Sequence, residues 1–189
     1  MPSTASPFGL RPVKHGRGGT IRPFARTIAA AYDTAIYTGA PVILHTDGTI
    51  RLAAAGNDEF ILGVFSGVEY TEPTGHRKVT NVWPGAVTGA TDIIAYVVED
   101  PDVIYEIQSD ESIAITNIGN QANLVNPGNG STVTGLSTAA LDGSTAAAAN
   151  RQLSILDIAR GVDNEAGDAF TNVLVTIAQH QFRSRPAGF

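Results

Sequence analysis

The sequence contains no cysteine, which excludes disulfide bonds, thiol catalysis and cysteine-ligated zinc sites together. It also lacks any apolar run approaching the length of a membrane-spanning helix, so no membrane partner is expected. The N-terminal positive charge is not followed by the apolar stretch of a secretory signal, and its prolines and glycines would break the amphipathic helix of a transit peptide. Charged residues make up only 16% of the chain, below the roughly 25% that is typical of soluble domains. We therefore expect part of its surface to lie against other protein.

Acidic residues are absent from positions 1–32, although this segment holds five basic side chains, four prolines and four glycines. The basic residues are Arg11, Lys14, Arg17, Arg22 and Arg26. Apolar side chains, among them Phe8, Leu10, Ile21 and Phe24, are spaced through the segment without forming a core of their own. We interpret residues 1–32 as an extended N-terminal arm (the arm below) whose contacts are made with another surface.

The rest of the chain is acidic. Between the arm and a C-terminal tail at 183–189, five basic residues stand against all 18 acids, and the tail adds Arg183 and Arg185. Nucleic acid requires a basic face on its partner, so a basic end on an acidic body predicts no nucleic-acid binding. Oppositely charged regions of this kind favour contacts between subunits.

Strand signals dominate the body, residues 33–182. Strands at 42–45 and 49–52 flank Asp47-Gly48, which predicts a hairpin with a type I′ turn. Further strands are predicted at 60–70, 79–83, 93–98, 103–108, 113–115, 153–160 and 170–178. With no long amphipathic helix, the predicted fold class is all-β, with a sandwich or barrel-like body of short antiparallel strands.

A long polar loop is predicted at 116–150, within which asparagine recurs at every third position from Asn117 to Asn129. A period of three fits neither a strand nor an α-helix. Two interpretations stay open, a coincidence in an Asn-rich loop and an extended loop that covers a neighbouring surface. One helical turn is predicted at 137–141, with Ser137 as its cap.

The catalytic, metal-binding and phosphate-binding motifs considered in this sequence each lack required residues or the required structural context. Ser66 and Ser137 lack a nucleophile elbow, and the four histidines are scattered along the chain. The acidic loop at 163–168 fails the EF-hand pattern, and residues 16–19 lack the strand and helix of a phosphate loop, so we interpret them as a flexible joint in the arm. We expect no catalytic residue, no metal and no cofactor, and therefore no enzyme.

A resemblance then points to a class of proteins. The run Gly39-Ala40-Pro41-Val42-Ile43, the turn at 47–50, the strand at 61–65 and the opening at 6–12 resemble small β-rich virion proteins of tailed bacteriophages, above all head decoration (cement) proteins. This resemblance implies binding to the outside of an assembled capsid as a dimer or trimer on a symmetry axis. It brings no catalytic residues with it.

We accordingly expect a non-enzymatic decoration protein on the capsid exterior of a virion, made in the cytoplasm of the bacterial host. The expected partners are the major capsid protein and copies of the chain itself, as a homotrimer or alternatively a dimer. Another head–tail or tail component is one alternative, and a carbohydrate-binding module that uses Trp83 is another. The partner-binding residues expected from the arm and tail are Phe8, Leu10, Arg11, Lys14, Arg17, Ile21, Arg22, Phe24, Arg26, Arg183 and Arg185.

Overall fold

Strands and one 3₁₀ turn account for the regular secondary structure in the computed structural model, which describes residues 4–56, 59–145 and 150–183. No α-helix occurs in these three ranges. The predicted all-β class is therefore confirmed. Arg185 lies outside the described residues, as do the other positions of the tail after Arg183.

The strands form two main antiparallel sheets. Sheet I consists, in spatial order, of β1 (Arg11–His15), β10 (Val103–Gln108), β15 (Asn172–Ile177), β14 (Leu153–Ile158) and β11 (Gln121–Ala122). Sheet II consists of β2 (Phe24–Arg26), β9 (Thr91–Val98), β6 (Gly63–Thr71), β4 (Pro41–Leu44) and β5 (Ile50–Leu52), and β7 (Arg77–Thr80) pairs with β6. Two smaller pairs are β3 (Ile36–Tyr37) with β8 (Val82–Trp83), and β12 (Leu124–Val125) with β13 (Ala140–Leu141).

Buried and exposed residues alternate along the strands, and the buried ones form the core. On β15, Val173, Val175 and Ile177 are buried while the residues between them are partly exposed, as a pleated strand with one covered face requires. Val64 and Val98 belong to sheet II yet pack into the same apolar cluster as the inner face of sheet I. The two sheets therefore cover one another in a sandwich-like body. A second cluster, which contains Phe65, Tyr70 and Trp83, lies within the part of the body built on sheet II.

A short turn at residues 99–102 (the 99–102 turn) joins the two sheets, because it connects β9 of sheet II to β10 of sheet I. The turn is closed by the Val103 N–H, which donates to the Asp100 carbonyl over 3.2 Å. Next to it, the Tyr105 hydroxyl donates to the Val98 carbonyl over 3.1 Å. Burial raises the pKa of Tyr105, so this phenol stays a neutral donor.

The hairpin at 41–52 is confirmed, but its predicted type I′ turn is wrong. Gly48 has a positive φ of 79°, whereas Asp47 does not. The Gly48 N–H donates to the His45 carbonyl, and His45 pairs in turn with Thr49, which is the pattern of a type I turn followed by a left-handed glycine. The Asp47 carboxylate accepts from both the backbone N–H and the hydroxyl of Thr49, and these bonds hold its pKa well below the usual range.

Two other local predictions are wrong. Residues 113–115 form no strand; the 3₁₀ turn Ile115–Asn117 stands there, closed by the Asn117 side chain, which accepts from the Ala114 N–H. The helical turn at 137–141 is replaced by β13. The region at 79–83 contains two short strands instead of one, and the arm contributes β1 and β2, which were not predicted as strands. The other predicted strands are present with small changes at their ends.

The polar loop packs against this chain's own body. A Cβ at Gly130 would overlap the ring of Tyr37, one at Gly135 would overlap the Asn81 side chain, and one at Gly128 would lie 2.9 Å from Leu52. The asparagines make different contacts: the amides of Asn117 and Asn120 donate to the Thr145 hydroxyl, the Asn123 side chain accepts from the Gln152 N–H, and the Asn126 carbonyl accepts from the Asn129 N–H. The period of three therefore has no common structural role among these residues. Positions 146–149 of the loop lie outside the described residues.

Candidate functional site: the arm and the adjoining groove

The arm lies along the connection between the two sheets. Strand β1 pairs antiparallel with β10, from Arg11 opposite Glu106 to His15 opposite Val103. Strand β2 pairs antiparallel with β9, with Phe24 opposite Val97. The arm thus forms an outer edge strand on each sheet, and residues 16–23 pass over the 99–102 turn between them. Proline is tolerated in β1 because an edge strand does not need every N–H.

The apolar residues of the arm differ in burial. Leu10 is fully buried in the cluster under sheet I, and its N–H donates to the Gly39 carbonyl over 2.9 Å. Ile21 packs partly against the same cluster, and Phe8 is partly buried. Phe24 keeps 50% of its surface exposed. Leu10 therefore has a role in this chain's own core, while Phe8 and Phe24 keep surface that a partner can contact.

Two arginines of the arm, Arg26 and Arg11, pair with acids in or close to the 99–102 turn. Arg26 holds Glu99 through two hydrogen bonds of 2.7 and 2.6 Å, and only 7% of the Glu99 side chain is exposed. This pairing raises the pKa of Arg26. Arg11 lies 2.6 Å from Glu106 and over the ring of Phe8. Both arginines are thus bound within the chain.

Arg17 and the tail meet at the third acid of this region. The Arg17 Nε lies 2.9 Å from one oxygen of Asp102, and Arg183 pairs with the other oxygen. Phe182 lies under the guanidinium of Arg26 at 5.8 Å. The middle of the arm and the C-terminal end of the described chain therefore meet at the 99–102 turn. Lys14 and Arg22 are exposed and make no ion pair with a described residue.

His15, Asp100 and Asp102 bring their ligand atoms within 4.8 Å of one another, which is close enough for a metal ion. The His15 Nδ1 accepts N–H bonds from Arg17 and Gly19, so the ring proton lies on Nε2, which donates to Asp100 over 3.0 Å. Two guanidinium groups already neutralise Asp102. The geometry fits a hydrogen-bonded network better than a cation site, because Nε2 has no free lone pair. The hydrogen bond from the Asp102 N–H lowers the pKa of Asp100, and the hydrogen bond from His15 lowers it further.

A groove of about 240 Å³ opens beside the start of β1. Its walls are mainly apolar and come from the arm, from β6, from the end of β9 and from the polar loop. The lining residues are Phe8, Leu10, Arg11, Pro12, Thr38, Gly39, Val64, Phe65, Ser66, Val98 and Leu136. Three of the residues expected from the sequence to bind a partner, Phe8, Leu10 and Arg11, thus meet in one cavity. Leu136, which is 42% exposed, forms the rim contributed by the polar loop.

Sequence reasoning missed the acids of the 99–102 turn and the part of the groove that lies on the body. The acids that begin at Glu99 carry charges that complement those of the arm. That complementarity between an acid-free segment and an acid-rich turn was the available signal. Nothing in the sequence around Leu136 indicated that it lines the groove, because only the folded loop brings it to the arm.

Among the described residues, the serines and histidines considered as catalytic candidates do not form a nucleophile–base pair. Ser137 Oγ accepts from the Ala139 N–H and lies 3.4 Å from the Asn129 carbonyl, and no described serine bonds to a histidine ring. In the loop at 163–168, the Asn164 side chain bonds to the backbone of Ala159 and Asn172. These bonds give the loop the role of a hairpin connection.

Trp83, the residue on which the carbohydrate-binding alternative rests, is fully buried. Its indole N–H donates to the Tyr32 carbonyl over 3.0 Å, and its ring meets Tyr70 edge to face at 5.6 Å. In this position Trp83 anchors the core and offers no surface for stacking on a sugar.

Comparisons of the chain with protein-family models, with curated proteins and with solved structures find no match. Among the described residues, no helix has the length and apolar character needed to cross a membrane.

Proposed function

We propose that this chain is a non-enzymatic structural protein of a tailed-bacteriophage virion, which binds the outer surface of the capsid and stabilises the shell. The supporting observation is the convergence of Phe8, Leu10 and Arg11 on one apolar groove beside the free edge of β1. An apolar cavity next to an unpaired strand edge suits an extended segment of another protein, because the edge supplies backbone hydrogen bonds and the cavity accepts side chains.

The resemblance described above supplies the class of partner, the major capsid protein. The low content of charged residues fits a protein whose surface is partly covered after assembly. We further propose a homotrimer on a symmetry axis, with a dimer as the alternative, since acidic bodies gathered around an axis need compensating cations. Lys14 and Arg22, which are exposed, are the cations of the arm available for this purpose.

The test uses purified shells that lack this protein. Leu136→Asp places a charge in the wall of the groove, and we expect it to abolish saturation of the shells while leaving the body folded. Val162→Asp is the matched control, because Val162 is 94% exposed and lies in the connection between β14 and β15. Equal saturation by both variants would remove the groove from the proposal.

Copy number separates decoration from the alternative of a head–tail component. A decoration protein occurs in proportion to the whole shell, whereas a connector forms a single ring. Quantitative mass spectrometry of purified particles therefore decides between these two roles.

A further inference from the structure

The two strands of the arm are held by different contacts. β2 is anchored by the largely buried pair of Arg26 with Glu99 and by Ile28, which is buried two residues after it. β1 is held by its backbone pairing with β10, by the exposed pair of Arg11 with Glu106, by Leu10 and by the bond of His15 to Asp100. Because β1 is an edge strand that pairs on one side only, it can separate from β10 without opening the other strands of sheet I.

The joint between these strands, residues 16–23, is twice as long as the 99–102 turn over which it passes, and all of its residues except Ile21 are exposed. It is tied to that turn by the Gly16 N–H, which donates to the Asp102 carbonyl, and by the pair of Arg17 with the Asp102 carboxylate. Gly18 has a positive φ of 79°, and a Cβ there would meet nothing within 4 Å. Extended, eight residues span about 26 Å. With β2 in place, β1 can therefore reach a second body nearby.

The acceptor for β1 is the same on every copy. Beyond the joint, β1 and the residues before it contact β10, the 99–102 turn, Gly39, Ser137 and the core cluster that takes Leu10. Leu10 bonds to Gly39, the Ser6 N–H donates to Gln108, and Arg11 pairs with Glu106. β1 from a second copy would find the same register and the same ion pair. Exchange then leaves these contacts unchanged. The equilibrium between copies that exchange β1 and copies that keep it depends on the joint and on protein concentration.

We propose that β1 is exchanged between copies of this chain, so that residues 4–15 of one copy form the edge strand on β10 of the next. This proposal rests on the proposed function, which includes a homo-oligomer, and it identifies β1 on β10 as the contact that holds the oligomer together. Each copy gives one strand and receives one, which ties neighbouring bodies together with main-chain hydrogen bonds.

The absence of cysteine from the chain permits a direct test by cross-linking. Arg11 and Glu106 stand opposite one another across β1 and β10, as do Lys14 and Ile104. The variants Arg11→Cys and Glu106→Cys are unfolded together, refolded at high concentration and oxidised mildly. A disulfide between the two different chains forms only when β1 of one chain lies on β10 of the other. The pair Lys14→Cys and Ile104→Cys is treated in the same way, so that the result does not depend on the geometry of one pair.

Ser154→Cys mixed with Thr176→Cys is the matched control. These residues face one another across β14 and β15, within a single body, so their mixture is expected to give no linked chains. We expect covalent dimers and larger species from the arm mixtures and none from the control. The proposal is overturned if chains that carry both arm cysteines link only internally while the mixtures stay unlinked.

Shell binding is measured separately with the unmodified protein, which keeps the two proposals apart. A protein that exchanges β1 but does not bind shells overturns only the proposed function. A protein that saturates shells but never links between chains overturns only the exchange.

Discussion

Arg17 and Arg183, from opposite ends of the chain, bind the two oxygens of a single carboxylate, Asp102. Asp102 belongs to the turn that joins the two sheets, so this carboxylate connects the arm, the tail and the junction of the sandwich. An exposed ion pair contributes little to stability by itself. Its effect here is on position, because it holds the segment between β1 and β2 and the start of the tail against the same turn.

Loss of this carboxylate is expected to loosen the segment between β1 and β2 and the start of the tail. In Asp102→Asn the charge that holds the two guanidinium groups is removed, so trypsin should cut after Arg17 several times faster, while the free energy of unfolding falls by less than about 1 kcal/mol. Mass spectrometry of a digestion time course measures the rate. Asp110→Asn, the same change at the opposite end of β10, is the control, and equal cleavage rates in both variants would contradict the role of Asp102.

Leu10→Ala is expected to lower the free energy of unfolding by about 2–5 kcal/mol, because it removes a fully buried side chain and leaves a cavity. Val13→Ala, on β1 but 40% exposed, should cost below about 1 kcal/mol. Urea denaturation of both variants checks the difference. Similar small losses would show that Leu10 does not occupy the core of the free protein.

The arginine pairs of the arm should differ in energy. Arg26→Gln leaves the Glu99 carboxylate buried without its partner, and we expect a loss of about 3 kcal/mol. Arg11→Gln removes a partner that is 59% exposed, so the expected loss is below about 1 kcal/mol. Thermal and chemical denaturation provide the values, and replacing Arg26 and Glu99 together by Met and Leu should recover most of the larger loss.

His180 is expected to make stability depend on pH on the acid side of neutrality. Burial lowers the pKa of His180 below its ordinary value of 6.5, and its Nδ1 accepts the Phe182 N–H. The unfolded chain therefore takes up a proton as the pH falls through 6.5 while the folded chain does not, so stability declines from there toward the lower folded pKa. For one proton the slope is at most about 1.4 kcal/mol per pH unit.

The variant His180→Gln should lose this part of the slope, even if its stability is lower at every pH. Urea titrations between pH 7 and pH 5 measure it. An unchanged slope in the variant would assign the pH dependence to other groups.

The contact between the polar loop and the body can be tested at a glycine. Gly130→Ala places a methyl group against the ring of Tyr37, and we expect a loss of about 1–3 kcal/mol from the displaced loop. Gly161→Ala is the matched control, since a Cβ there meets nothing within 4 Å. Equal stability of the two variants would mean that the loop does not rest on Tyr37.

The sequence predicted the all-β class and most strands of the body because their signals are local. Val103 to Gln108 alternates and was predicted with its observed bounds, and the hairpin around Asp47-Gly48 was found from its turn residues. The type of that turn was missed because the Asp47 side chain, bonded to Thr49, selects another backbone conformation. Such a choice depends on side-chain geometry and not on residue type alone.

The strands of the arm could not be predicted from local pattern. Arg11 to His15 contains a proline and few β-forming residues, and it is a strand only because β10 offers a free edge and Glu106 faces Arg11. The charge of the arm was recognised, but its acceptor on the same chain was not. The groove was beyond prediction for the same reason, since Leu136 reaches it only through the course of the polar loop.

The place of β15 in sheet I has a consequence for synthesis. This strand is the last that the described residues form, yet it lies in the centre of the sheet, between β10 and β14. A nascent chain can pair β1 with β10 and build sheet II while the ribosome is still translating, but sheet I cannot close until residues 172–177 have emerged. Until these residues pair with β10 and β14 the inner face of sheet I stays open, and closing strand pairs so distant in sequence is expected to be slow.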